Sequence, residues 1–217
     1  MREVEAEFTH ANIDADQAVE EISRRFRLPL VRRGLTHVRD TYLDTNSFRL
    51  LQRSSSFRLR HKLDNIYSGE GTRLTFKYPL EEHPELLIRE EVKLKVAATQ
   101  FDEVREFVDS MAFALLKERV FIHLAAEELS TEVYLGKGGE QLNISFDRVK
   151  FKNPADRRRT HSVSYLELED HGIGLDALLE IKSFVEEFYA LSASTETKYR
   201  YGLRALSLLP PGAALKG

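Results

Sequence analysis

Apolar and charged residues alternate, one for one, in short runs that recur along the whole chain. In Ser56-Phe57-Arg58-Leu59-Arg60-His61 the apolar Phe57 and Leu59 interleave with Arg58 and Arg60. An extended strand sends alternate side chains to opposite faces, so the two guanidiniums share one face. The same period sets Glu3, Glu5 and Glu7 against Val4, Ala6 and Phe8, and Arg73, Thr75 and Lys77 against Leu74 and Phe76. Further runs set Arg89, Glu91 and Lys93 against Glu90, Val92 and Leu94, then Asn143, Ser145 and Asp147 against Leu142, Ile144 and Phe146. Tyr165, Glu167 and Glu169 alternate with Leu166 and Leu168. With Val38 to Leu43 and Lys117 to Ile122, the pattern predicts about eight strands.

Three segments carry the helical period instead. Asp14 or Asp16 caps a helix bearing Val19, Ile22 and Phe26, which Pro29 stops. A second is predicted from Thr99 or Gln100, on Phe101, Val104, Val108 and Met111, and a third from about Asp176 to Tyr189, on Leu178, Ile181, Val185 and Phe188. Turn formers separate these elements at Asp44 to Ser47, between Pro79 and Pro84, at Gly136 to Gly139 and at Asn153 to Asp156. Arg157-Arg158-Arg159 then reads as a solvated hairpin tip. No linker divides the chain, so residues 1–208 are expected to form one domain and 209–217 a flexible tail.

Were the charged faces turned to solvent, an ordinary sandwich would follow. Turned inward, they leave the apolar faces outside, where three striped helices are available to cover them. The predicted fold is therefore α+β: a closed eight-stranded antiparallel barrel with helices packed on its exterior.

Composition narrows the chemistry. With no cysteine among 217 residues, disulfides, thiolate metal sites and thiol nucleophiles are excluded. A metal would be held by oxygen or imidazole, and the seven histidines show no paired ligand spacing that would make a zinc site. A formal net charge of -3 argues against an overall nucleic-acid footprint, and any cations that bind a polyanion must be concentrated in one place. No apolar run is long enough for a bilayer, and Met1-Arg2-Glu3 does not open a signal peptide, so a cytoplasmic protein is expected.

A barrel lined by both signs of charge needs partners for each. Arginine forks match phosphate oxygens and clustered carboxylates suit hard Mg²⁺ or Mn²⁺, so a linear phosphate chain with a divalent ion answers both needs. At this point the chain resembles a known family. Glu3 to Phe8, Asp40-Thr-Tyr-Leu-Asp44-Thr45, Phe57-Arg-Leu-Arg60, Thr75-Phe-Lys77, Arg89-x-Glu91, Lys117-x-Arg119, Glu167-x-Glu169 and Thr197-Lys198-Tyr199 are similar, in order, to the motifs of the CYTH or triphosphate tunnel metalloenzyme superfamily. Two of these motifs also resemble the polyphosphate polymerase domain of vacuolar transporter chaperones.

The resemblance implies a metal-dependent triphosphatase using Mg²⁺ or Mn²⁺. It places Arg58, Arg60, Lys77, Arg89, Arg119 and Lys198 on the phosphates, with Lys93 beside them, and Glu3, Glu5, Glu167 and Glu169 on the metal, with Glu91 and Asp147 nearby. Glu5, Glu167 and Glu169 would be catalytic. The expected partner is a small triphosphate or polyphosphate, with no nucleic acid or membrane, and a monomer or homodimer as the assembly. Polymerisation, cyclisation of ATP and binding without turnover remain open alternatives. The chain departs from the family's Glu-x-Glu-x-Lys at Glu7, and carries Lys93 where a second glutamate is common. If those changes compensate, Glu7 and Lys93 should lie close together in the lumen.

Overall fold

The computed structural model describes residues 1–10, 12–63, 72–96, 106, 110 and 117–210. The second predicted helix and most of the 64–72 loop fall outside them. Eight long strands follow the alternating runs: β1 (Arg2–His10), β2 (Leu30–Asp44), β3 (Ser56–Lys62), β4 (Thr72–Glu81), β5 (Leu87–Lys95), β6 (Phe121–Leu135), β7 (Leu142–Lys152) and β8 (Thr160–Asp170). They are ordered β5-β4-β3-β2-β6-β7-β8-β1, and β1 pairs back on β5 to close the barrel. Every pairing is antiparallel. β5 covers one edge of β1 only as far as Glu5, and the two-residue β9 (Ala193–Ser194) takes over opposite Glu7 and Phe8.

The strands β2 and β6 are longer than the alternation predicts, and they pair along most of their 15 residues. The strand expected from Lys117 begins only at Phe121, because Lys117 adopts a left-handed backbone with φ 58° that a strand cannot contain. β4 also continues through Pro79, where a bulge absorbs the missing N–H.

Two helices cover the outer surface of β1, β7 and β8. In α1 (Ala15–Phe26), Asp14 is the cap and accepts from the Gln17 N–H at 3.0 Å. In α3 (Leu175–Tyr189), Leu178, Ile181 and Val185 are buried as the helical period predicts. Phe188 is 50% exposed, and Phe184 meets Phe26 edge-on in its stead. Val4, Ala6, Phe8, Ile144, Leu166 and Leu168 form the sheet side of this core.

A second core lies inside the barrel. Past the charged positions the inward faces of β2, β6, β7 and β8 turn apolar, at Tyr42, Leu124, Ala126, Val149, Phe151 and Tyr165. Against them packs α4 (Lys198–Ala205), through Tyr199, Leu203 and Leu206 just beyond its end. Gly202 makes this seat possible, since a Cβ there would stand 2.5 Å from Leu124 Cδ2 and 2.6 Å from Phe151 Cδ1. Asp44 ties the plug to the wall. It accepts the N–H groups of Leu50 and Leu51 in the short α2 (Arg49–Gln52) and the Tyr199 hydroxyl at 3.3 Å. The barrel is thus closed at one end. Leu208 and Leu209 continue the packing beyond α4, and the expected tail from 211 lies outside the described residues.

Candidate functional site: a two-walled charged tunnel

The remaining lumen is a cavity of about 310 Å³. Its two signs of charge are segregated by strand. β3, β4 and β5 supply Arg58, Arg60, Lys62, Arg73, Lys77, Arg89 and Lys93, with Glu91 the only carboxylate among their lining residues. β1, β6, β7 and β8 supply Glu3, Glu5, Glu7, Glu128, Glu132, Asp147, Glu167 and Glu169, and no lysine or arginine. Lys198 enters from neither wall but from the first turn of α4, which Thr197 caps by accepting from the Arg200 N–H.

On one side Arg89 is wedged between Glu3, at 3.1 Å, and Glu5, while Lys77 reaches Glu3 at 2.6 Å. The pairing follows from register, because Glu3 stands directly opposite Arg89. Burial alone would raise the Glu3 carboxyl, yet Lys77 and Arg89 outweigh it and hold the group at about 2. Glu5 has Arg89 as its main cation, so burial prevails and its pKa rises to about 8. Across the lumen, Arg60 grips Asp40 through two bonds of 2.8 and 2.7 Å, and Arg58 reaches the same carboxylate at 3.2 Å. Arg60 also reaches Glu128 at 2.9 Å. Lys198 meets Asp147 at 2.5 Å, Glu167 at 2.9 Å and Glu128 at 3.1 Å.

The acidic wall contains two cross-strand carboxylate pairs. Glu5 faces Glu169, and Glu7 faces Glu167. Like charges so placed repel unless a proton or cation intervenes. Burial and the neighbouring Glu167 push Glu7 well above the ordinary carboxylate range, and Glu167, steadied by Lys198, stays below it despite its burial. Asp147 is raised by burial to about 7, with Lys198 offsetting only part of that. Glu7 Oε1, Asp147 Oδ1 and the Tyr165 hydroxyl are buried without a hydrogen-bond partner among the described residues.

These orphaned oxygens, the excess of carboxylate and the all-oxygen donor set fit a hard divalent cation in charge and chemistry. Among the described residues no group of three acidic or imidazole side chains is arranged to hold a metal ion as it stands. The reason is visible in the ion pairs: Arg89 and Lys198 occupy the space between the carboxylates.

Of the residues singled out from sequence, Arg58, Arg60, Lys77, Arg89, Lys93 and Lys198 line the cavity, as do Glu3, Glu5, Glu91, Asp147, Glu167 and Glu169. Arg119 does not; it is exposed in the segment before β6. Compensation between Glu7 and Lys93 is also overturned. Glu3 faces Arg89 in an antiparallel pair, and Glu7 and Lys93 lie four residues beyond these in opposite directions, which separates them by on the order of 25 Å. Lys93 pairs with Glu91 at 2.5 Å, and the cation that acts on the Glu7 carboxyl is Lys198. Glu128 and Asp40 were missed as site residues. The Glu128, Ser130, Glu132 alternation carried a signal for the first, but the neighbouring Ala125-Ala126-Glu127 masks its strand character.

The CYTH domain profile matches residues 1–201 of the chain. No curated protein sequence matches it. Several solved structures share the fold. The Hippeastrum protein HpAC1, an adenylyl cyclase candidate with a dominant triphosphatase activity, is 14% identical with a TM-score of 0.58, over 96% of this chain and 98% of that one. The PH1819 protein of Pyrococcus horikoshii is 18% identical with a TM-score of 0.56, over 93% and 98%. An adenylate cyclase candidate from Bacillus halodurans is 16% identical with a TM-score of 0.54, over 92% and 97%.

Proposed function

The chain belongs to the CYTH domain family, and we propose that its tunnel binds inorganic triphosphate, or the triphosphate of a small organic molecule, and hydrolyses the terminal phosphoanhydride. The segregation of charge into two walls carries this reading. A phosphate chain laid along β3 to β5 meets Arg58, Arg60, Lys77, Arg89 and Lys93, with Lys198 at the closed end. Its other side then looks onto carboxylates, which repel phosphate unless a cation lies between.

Arg60 is held as a planar fork by Asp40, so little side-chain entropy is lost when it meets a phosphate oxygen. Arg89 and Lys198 each neutralise carboxylates of the tunnel. A phosphate that draws these cations toward itself frees Glu5, Asp147 and Glu167 at the same moment. Those groups, with Glu169, are the ones to hold Mg²⁺ or Mn²⁺, and Glu3 and Glu91 stay bound to Lys77 as their support. A divalent ion held there would supply positive charge against the phosphate oxygens and a polarised water. The guanidiniums and ammoniums stabilise the charge that gathers on the leaving phosphate, the main contribution a protein makes to this chemistry.

The closed end favours hydrolysis over polymerisation. A growing chain needs an exit, and α4 fills the end of the barrel beyond Lys198. The test is metal-dependent phosphate release from tripolyphosphate, thiamine triphosphate and ATP. Release with Mg²⁺ or Mn²⁺, abolished by chelation and reduced at least about 100-fold in Arg60→Ala and Glu167→Gln, is expected. Tight calorimetric binding of tripolyphosphate without release in either metal would identify a binding module instead. Cyclic nucleotide from ATP would identify a cyclase.

A further inference from the structure

The outward row of β7 changes character halfway along. Leu142, Ile144 and Phe146 lie under α1 and α3, and the next outward positions are Arg148, Lys150 and Lys152. Arg148 and Lys150 are exposed, and no described helix packs over them. Register extends the basic patch sideways. Lys150 lies between Glu127 of β6 and Ser162 of β8, and Glu127 in turn neighbours Arg39 of β2. The β7–β8 hairpin adds the exposed Arg157, Arg158 and Arg159 at the end of the same face. Glu127 is the one carboxylate within the sheet rows, and Lys152 at 2.5 Å and His37 at 3.3 Å already share it. Among the described residues, Arg39, Arg148, Lys150 and Arg157 to Arg159 form no ion pair.

In a chain of net charge -3, this is a deliberate concentration of uncompensated cations. It sits toward the plugged end of the barrel, on its outside, and shares no residue with the tunnel lining. We propose that this face is a second anion site, which binds long-chain inorganic polyphosphate.

The absence of other chemistry on the face selects that ligand. Across the rows, His61, Arg39, Glu127, Lys150 and Ser162 stand side by side with no Phe, Tyr or Trp, so the large rings on which successive single-stranded bases stack are missing from them. A broad convex sheet does not enter a duplex groove as a helix or two-stranded ribbon does. Leu129, beside Arg148, is the only large apolar side chain exposed among these rows, too little for insertion into a bilayer. What remains is a set of cations two residues apart along β7, roughly 7 Å, each flanked on β8 by a hydroxyl: Ser164 by Arg148, Ser162 by Lys150 and Thr160 by Lys152. Cations and hydroxyl donors bind phosphate oxygens without reading bases. A flexible chain made only of phosphates uses every one of them.

The site stands whether or not the tunnel turns over triphosphate, and the experiment separates the two. Binding of fluorescently end-labelled long-chain polyphosphate to the full-length protein is measured with the tunnel saturated by tripolyphosphate. Binding should persist, weaken steeply with salt, and fall at least about tenfold with a shallower salt slope in the exposed-face variant Arg148→Ser/Lys150→Ser/Arg158→Ser. Tripolyphosphate binding by that variant should be unchanged, which also shows that it is folded. The proposal is overturned if tripolyphosphate abolishes long-chain binding, if the variant binds like the parent, or if single-stranded RNA or phosphatidylserine vesicles bind more tightly than polyphosphate through the same residues.

Discussion

Three carboxylates, Glu128, Asp147 and Glu167, converge on the single ammonium of Lys198, which is almost wholly buried. Removing one partner of a buried ionic network leaves charge without compensation, so Lys198→Met should cost about 3–5 kcal/mol. The loss should be larger at pH 8 than at pH 6, because Asp147, already raised to about 7, escapes its penalty by taking a proton at the lower pH. Denaturant midpoints at the two pH values check this. Adding Asp147→Asn should restore part of the stability. The alternation made Arg58, Arg60, Lys77 and Arg89 legible as one face, since a period of two needs nothing but neighbours in sequence. It could not say which carboxylate each would meet. That depends on register between strands distant in the chain, and register is what defeats the exchange expected between Glu7 and Lys93.

At the level of elements, α4 shows how a helix can serve as part of a barrel's interior. Thr197-Lys198-Tyr199 stood out in the sequence, but nothing in eight residues announces that they fold into the lumen. Gly202 is the residue that permits it. Gly202→Val would press into Leu124 and Phe151, which belong to the packed wall and cannot swing aside. A loss of about 1–3 kcal/mol is expected from overpacking, together with weaker tripolyphosphate binding, because Lys198 begins the displaced helix. Urea titration and calorimetry would show the two effects together; stability loss with unchanged binding would mean that α4 does not set the position of Lys198. Strands β1, β3, β4, β5, β7 and β8 were readable because each carries a run in which polar and apolar residues alternate. Most of β6 was not, since Ala125-Ala126-Glu127-Glu128-Leu129 has no clean period, and its strand state comes from long pairing with β2 and β7.

For the whole molecule, the buried acidic wall predicts how stability depends on pH. Glu5, raised from 4.5 to about 8, and Asp147, raised from 3.8 to about 7, bind protons more tightly folded than unfolded. Their contribution is complete below the unfolded values and disappears as pH rises through about 7 to 8. Glu3, lowered to about 2, acts oppositely, contributing above 4.5 and losing that contribution as pH falls toward 2. The melting temperature without metal should therefore fall between pH 6 and 9. Mg²⁺ or Mn²⁺ should flatten the fall if the carboxylates bind it, and calorimetry across that range decides. A melting temperature that rises to pH 9 would contradict the raised carboxyls.

The seam of the barrel has a further consequence for how the protein comes into being. β1 is made first, yet one of its edges waits for β5 and the other for β8, whose residues end at Asp170. The plug that seats behind it begins only at Lys198. While the chain emerges from the ribosome, Glu3, Glu5 and Glu7 remain in water, where carboxylates are comfortable, and they are desolvated only when the last strand of the barrel, β8, is present. Closure by such distant contacts is slow for its size. The order of synthesis also means that the first strand of the barrel to be translated is among the last to lose its solvent.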